Sequence, residues 1–223
     1  MYIKGAIFDM DGTLVNSLMF WESYWIEFGK KYMNSDDFRA DPDIDRDVRT
    51  MIFHDAVMHI KKFYGLAVED SEILDFSMRN IENFYKTKAT LKDGAIELLR
   101  YLKSKGVKMC IASATTRNYI DIVMNAFGLG EFFSDVLSCA DIGKGKDQPD
   151  IYLLAEKTLG IPKDELCVFE DSYVAIETAR AAGFRTVGIF DKYNYDQDRL
   201  AASSNIYVSE GMTLDALIPM LEA

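Results

Sequence analysis

Short apolar runs that end in polar or glycine punctuation recur along the chain, at Ile3–Phe8, Val107–Ala112, Asp135–Ser138, Leu166–Phe169, Thr186–Phe190 and Asn205–Val208. Each has the length and flanks of a buried strand. Between most of them the apolar positions change to a spacing of three and four. Gly94–Lys103 gathers Ile96, Leu98, Leu99 and Leu102 on one side, and Tyr119–Phe127, Ile151–Leu159 and Tyr173–Ala182 behave alike. Strand then helix, repeated, predicts an α/β, doubly wound, Rossmann-like core with a parallel sheet covered by helices. In such folds the loops at the carboxyl ends of the strands form the ligand crevice, so chemistry is sought there.

The alternation stops after the first strand. From Ser17 to about Lys88 the pattern is helical with almost no strand signal. Its first helix, about Leu18–Tyr32, carries Trp21, Tyr24, Trp25, Phe28 and Tyr32 as an aromatic stripe that should pack inside the insert. The polar stretch Asn34–Asp47, with Pro42, reads as a loop, and Val48–Phe63 and Ser71–Lys86 resume the helical period. The expected organisation is therefore a core from residues 1–16 and 88–223, interrupted by a domain of three or four helices over 17–87. The chain crosses between the two bodies near Val15–Ser17 and Thr87–Asp93, where a hinge is expected.

Composition narrows the functional classes. The 223 residues are 49% hydrophobic, enough for a substantial core without disulfides or a structural metal. Twenty-five Lys and Arg against 36 Asp and Glu give a net charge of −11, which lacks the basic footprint of a nucleic-acid binder. No run approaches the ~20 apolar residues of a membrane span, and residues 1–20 lack the basic, apolar and small-residue succession of a secretory leader. Cys110, Cys139 and Cys167 lie near apolar runs without metal-ligand spacing, as reduced, buried thiols would. A reducing cytoplasm, a monomer or weak dimer, and no nucleic-acid or membrane partner are the expectations.

Candidate chemistry sits where strands end. The first strand runs into Asp9-Met10-Asp11-Gly12-Thr13, two carboxylates at the crevice, although a glycine turn would use the same residue types. Val168-Phe169-Glu170-Asp171-Ser172 repeats the arrangement, with helix capping as the plainer use of either acid alone. Four converging acids repel unless a cation sits among them, and hard oxygen donors with room for water suit Mg²⁺. Ser113, followed by Ala114, Thr115 and Thr116 at a helix start, offers hydroxyls and backbone N–H groups to an anion, or simply caps the helix. Lys146, in Gly145-Lys146-Asp147, could neutralise both a carboxylate and a phosphate, with a surface lysine as the plainer reading. The segment is not a nucleotide P-loop, because that spacing puts Ala140 where the first glycine belongs and Asp147 where a hydroxyl residue belongs.

Taken in order, the four sites resemble the haloacid dehalogenase-like superfamily of phosphohydrolases. Asp9 through Thr13 match its first motif, Ser113 its second, Lys146 its third, and Glu170 with Asp171 its fourth. The helical insert after the first motif resembles the cap of the subgroup that contains β-phosphoglucomutase and phosphoglycolate phosphatase. The resemblance implies a Mg²⁺-dependent phosphatase of small phosphorylated metabolites. Asp9 would attack phosphorus to form an aspartyl-phosphate, and Asp11 would protonate the leaving oxygen and then deprotonate water. Asp9, Asp171, the carbonyl of Asp11, and Glu170 directly or through water would hold the metal. Ser113, the N–H groups around Ala114, and Lys146 would hold the phosphoryl oxygens.

Two alternatives stay open at this stage. A phosphomutase uses the same core, but the cap histidine of β-phosphoglucomutase is matched here by Trp21. A phosphate-responsive regulatory module without turnover also combines acids, a hydroxyl and a lysine, yet lacks a large cap. Dehalogenases lack the second acid and the magnesium cluster. Substrate contacts are expected from the cap, with Trp21, Arg46, Arg49, His54 and Lys86 as candidates, although core packing for Trp21 and solvation for the others is the commoner use of each.

Overall fold

The computed structural model describes residues 1–49 and 51–221. Thr50, inside the expected Val48–Phe63 helix, and residues 222–223, at the end of the expected core range, lie outside the described residues. The elements follow in chain order as β1 (Gly5–Phe8), β2 (Val15–Asn16), α1 (Phe20–Phe28), α2 (Pro42–Val48), α3 (Phe53–Phe63), α4 (Asp70–Thr87), β3 (Thr90–Leu91), α5 (Ala95–Ser104), β4 (Lys108–Ser113) and α6 (Arg117–Ala126). They continue with β5 (Asp135–Ser138), α7 (Cys139–Ile142), α8 (Asp150–Leu159), β6 (Leu166–Glu170), α9 (Tyr173–Ala181), β7 (Arg185–Ile189), α10 (Gln197–Ser203) and β8 (Ile206–Val208).

Six strands form one parallel sheet in the order β5-β4-β1-β6-β7-β8, the doubly wound arrangement expected from the alternation. β1 is central and buried on both faces. Its side chains alternate between two apolar layers, as the two-residue strand period requires. Ile7 joins Cys110, Ala112 and Val168 under α8 and α9, through Ile151, Tyr152, Ala155 and Ala175. Ala6 and Phe8 face the other way, where Phe8 stacks on Phe169 with ring centroids 4.2 Å apart and meets the edge of Phe133 at 6.0 Å. That second layer covers α5 and α6 and continues without a break into the insert.

The insert is helical, and its aromatic stripe is its core. Tyr24, Trp25 and Phe28 are buried and pack among Phe38, Tyr64 and Phe76, while the Tyr24 hydroxyl and Ser77 Oγ are 2.8 Å apart. The first helix differs from its expected Leu18–Tyr32 span: α1 gives way at Gly29 to a wider π-helical turn over Gly29–Met33. A Cβ on Gly29 would lie 2.1 Å from Phe38 Cβ, so glycine is what lets the two segments close on each other.

The reading of Asn34–Asp47 as a loop is corrected by α2. Asp41 Oδ1 accepts the Asp43 N–H at 2.9 Å as an N-cap, and Pro42 occupies the first turn, where its missing N–H costs nothing. Proline here starts a helix instead of breaking one. The expected Val48–Phe63 helix is correspondingly divided, with α2 ending at Val48 and α3 starting at Phe53. A second difference lies where the chain enters and leaves the insert. β2 and β3 pair antiparallel, Val15 opposite Leu91 and Asn16 opposite Thr90, and Asn16 Nδ2 donates to the Leu91 carbonyl at 3.0 Å. Two residues per strand carry too little periodicity to be seen in sequence. Among the described residues no helix is long and apolar enough to cross a membrane.

Candidate active site

Asp9 is the first residue beyond β1, Glu170 is the last residue of β6, and Asp171 follows it. The parallel register pairs Phe8 with Phe169, so the two acidic motifs, far apart in sequence, become neighbours across one strand spacing. The Asp9 N–H extends the ladder to the Phe169 carbonyl at 2.9 Å, which fixes the backbone beneath the carboxylate. Oxygens of Asp9, Glu170 and Asp171 lie within 4.8 Å of one another, and all three residues are buried.

Lys146 reaches this cluster from the loop between α7 and α8. Its Nζ donates to Asp9 Oδ1 and to Glu170 Oε1, both at 2.5 Å. Burial alone would lower the lysine pKa, but Asp9 and Glu170 reverse that and hold the ammonium charged well above its ordinary range. One ammonium does not balance three acids. Burial, aided by Glu170 and Asp11 and opposed by Lys146, pushes the Asp9 carboxyl up to about 8. Asp171 is also raised, by burial first and then by Glu170 and Asp9. A closely spaced set of oxygen donors whose ionised forms oppose one another is what a hard divalent cation such as Mg²⁺ relieves, and the donor set fits it.

Around the cluster each acid is held by a different part of the chain. Thr13 Oγ1 donates to Asp171 Oδ1 at 3.0 Å, and Asn194 Nδ2 donates to Asp171 Oδ2 at 2.6 Å. Gly12 has φ +80°, and a Cβ there would fall 2.3 Å from Asp171 Oδ2; only glycine allows the first-motif loop to pass so close. Glu170 Oε2 accepts the Ser172 N–H at 2.9 Å, leaving both its oxygens engaged. Asp11 receives two hydroxyls, Tyr85 on Oδ1 and Thr115 on Oδ2, each at 2.7 Å. Tyr85 comes from α4 of the insert, so a side chain of the helical layer touches an acid of the sheet edge.

Ser113, the last residue of β4, accepts the Thr115 N–H on Oγ at 3.1 Å and faces the same cleft, with Ala114 and Thr115 beside it. The structure thus brings Asp9, Asp11, Ser113, Ala114, Lys146, Glu170 and Asp171 together on one cleft wall. Of the cap candidates, Trp21 and Arg49 line the opposite wall. The other three are elsewhere. Arg46 lays its guanidinium over the Tyr195 ring at 4.9 Å, away from the cleft. His54 is exposed beside Asp55, and Lys86 is exposed against Glu82.

Sequence reasoning missed Tyr85 and Asn194. Tyr85 sits at a buried position of an amphipathic helix, where an aromatic residue needs no other reason. Asn194 lies in a turn after β7 that carries no motif. The same turn holds Asp45 from the insert: Tyr195 donates to Asp45 Oδ2 at 2.6 Å, and Trp25 Nε1 donates to Asp45 Oδ1 at 2.5 Å.

Fold and site together define an α/β enzyme whose acidic, lysine-bridged centre lies at the carboxyl edge of a parallel sheet. The sequence model of the haloacid dehalogenase-like hydrolases matches residues 3–183, and the chain belongs to that family, in its phosphatase and β-phosphoglucomutase-like subgroup. It is 29% identical over 218 residues to protein CbbY of Rhodobacter capsulatus, covering 92% of this chain and 93% of that one. It is 27% identical over 237 residues to the phosphorylated carbohydrates phosphatase of Thermotoga maritima, covering 98% and 100%. Its fold is that of CbbY from Rhodobacter sphaeroides in complex with phosphate, at a TM-score of 0.78, 20% identity and 96% coverage of each chain.

Proposed function

We propose that this hydrolase is a Mg²⁺-dependent phosphatase of small phosphate monoesters, sugar phosphates or similar, working through an aspartyl-phosphate on Asp9. The observation that carries the reading is the buried triad Asp9, Glu170 and Asp171 bridged by Lys146, with Asp11 and Ser113 facing it. The family and the phosphatase-named relative of Thermotoga maritima support it.

Asp9, Asp171 and the carbonyl of Asp11 would hold the metal directly. Glu170 already gives one oxygen to Lys146 and the other to Ser172, which favours a contact through water. When bound, Mg²⁺ supplies positive charge that lets a carboxylate approach a phosphate. In the first step an Asp9 oxygen attacks phosphorus in line; the Asp9 O–P bond forms, the ester P–O bond breaks, and Asp11 gives its proton to the departing alkoxide. In the second step Asp11 takes a proton from water, whose oxygen bonds to phosphorus as the Asp9 O–P bond breaks, restoring the carboxylate. Lys146, the Ser113 hydroxyl and the N–H groups around Ala114 hold the equatorial oxygens, where stabilising charge acts.

Residues 17–87 would serve as the cap over a core of 1–16 and 88–223, excluding bulk water during both steps. Trp21 favours hydrolysis over mutase chemistry, because an indole neither takes nor returns a proton near neutral pH. Three free, buried cysteines fit a reducing cytoplasm, and the protein is read as a monomer or weak dimer. The test is phosphate release from a panel of phosphorylated metabolites, with Mg²⁺ and with chelator, in the native protein and in Asp9→Asn. Release that requires both metal and Asp9 is expected. Conversion of β-glucose 1-phosphate to glucose 6-phosphate without phosphate release would identify a mutase instead.

A further inference from the structure

The two walls of the cleft differ in what they can offer a second charge. Among the described lining residues the cations are Lys146 and Arg49. Lys146 is committed to Asp9 and Glu170. Among the described lining residues Arg49 is the cation on the insert side of the cleft, where a substrate's remote end would lie, and its charge is already spent. Nε and Nη2 both donate to Asp45 Oδ2, at 3.0 and 2.8 Å, while Nη1 donates to the carbonyls of Tyr193 at 2.8 Å and Leu18 at 3.4 Å. The Arg49 side chain is 7% exposed.

Asp45 is tied down in turn by Trp25 and Tyr195, so the pair is a fixed, internally neutral unit, not a mobile arginine waiting for an anion. The rest of that wall is largely apolar, with Trp21, Val48, Met51, Phe53 and Ile81 facing the cleft. On the sheet side, Asp147 adds an acid beyond the residues that would hold metal and phosphate. A second anion placed here would be desolvated against apolar groups and would meet no unpaired cation.

We infer that the cleft selects phosphate monoesters whose leaving group is uncharged and presents an apolar face, and discriminates against bisphosphates and phosphorylated acids. The inference rests on the phosphatase reading above and names the substrate class for that same site. It makes Asp45 a specificity-determining residue that never touches substrate. By neutralising Arg49, Asp45 withholds the cation that, among the described lining residues, stands nearest a distal anion on the insert side.

The experiment compares kcat/KM, with Mg²⁺, for two matched pairs: benzyl phosphate against 4-carboxybenzyl phosphate, and fructose 6-phosphate against fructose 1,6-bisphosphate. The neutral member should lead its anionic mate by tenfold or more, mostly through KM. Asp45→Asn should narrow that ratio at least threefold by freeing Arg49, while the benzyl phosphate rate persists. Met51→Lys, in the segment between α2 and α3, places an unpaired cation on the same wall and should narrow the ratio whether or not Asp45→Asn folds. Equal or faster turnover of the anionic mates by the native protein would overturn the inference while leaving the phosphatase standing. A ratio unmoved by both variants would overturn the role of charge. Phosphate release from no member of the panel would remove the phosphatase reading and the inference with it.

Discussion

The sheet edge and the insert meet across one cleft but are built by opposite rules. On the sheet edge, Asp9, Ser113 and Glu170 sit at or beside the last hydrogen-bonded positions of β1, β4 and β6, so ladder bonds set their placement. Buried charge is concentrated there: three acids and a lysine within direct reach. On the insert wall, placement comes from helix packing around an aromatic core, and the charge present is cancelled within the wall by the Arg49–Asp45 pair. Rigid strand ends fix their side chains closely, and for a reacting group small displacements are costly. A helical layer that leans on them can vary what it presents without disturbing that geometry.

The largest effect should follow removal of the proposed nucleophile. Asp9→Asn keeps the shape of the sheet edge but should lower kcat on the order of 10⁴-fold, measured as phosphate release, whereas no single change on the insert wall should approach that. Next in size is Lys146→Met. It leaves Asp9 and Glu170 buried without their shared cation, and should cost about 3–5 kcal/mol in denaturant unfolding of the metal-free protein. Added Mg²⁺ should recover part of that loss.

Metal and pH together test whether the acids behave as one site. Asp9 titrates higher in the folded protein, at about 8, than an unfolded aspartate, near 3.9. The native state therefore binds more protons, and without metal its stability should fall as pH rises between those two values. Mg²⁺ requires the ionised carboxylates, so its stabilisation should be larger at pH 8 than at pH 5.5. At a hundredfold excess over its dissociation constant the gain at the higher pH is about 2.7 kcal/mol, or roughly 5–10 °C in Tm for a chain of this size. A shift of equal size at both pH values would mean that the metal binds elsewhere.

The smallest effect comes from the insert side. Tyr85→Phe removes one of the two hydroxyls on Asp11 and should lower kcat about tenfold, the value of one hydrogen bond to a charged group, with KM nearly unchanged. Thr115→Val, which removes the partner on the other oxygen from the sheet side, should do the same. If only the sheet-side variant mattered, the insert would contribute a wall and nothing to the chemistry.

Much of this was legible from residue order alone. All six strands of the main sheet were visible, the inner four as continuous apolar runs and the two edge strands as short ones, and their punctuation marked where acids, a hydroxyl and a lysine could collect. The motifs Asp9–Thr13 and Glu170–Ser172 are local, so they are visible without coordinates. The stretch Asn34–Asp47 misled because Asp41-Pro42 supports either a turn or a helix start, and packing of Ile44 and Val48 into the insert core decided for the helix.

The sheet, the helical stretch after β1, and the acids, hydroxyl and lysine at the strand ends are written in neighbouring residues, through strand period, helix period and turn chemistry. Which residues hold those groups, and what faces them, depends on the folded arrangement. Tyr85 reaches Asp11 from 74 positions away, and Tyr195 reaches Asp45 from 150. No local pattern encodes such a meeting. It follows from how helices settle against a sheet, where burial chooses the face and the last few ångströms choose the partner.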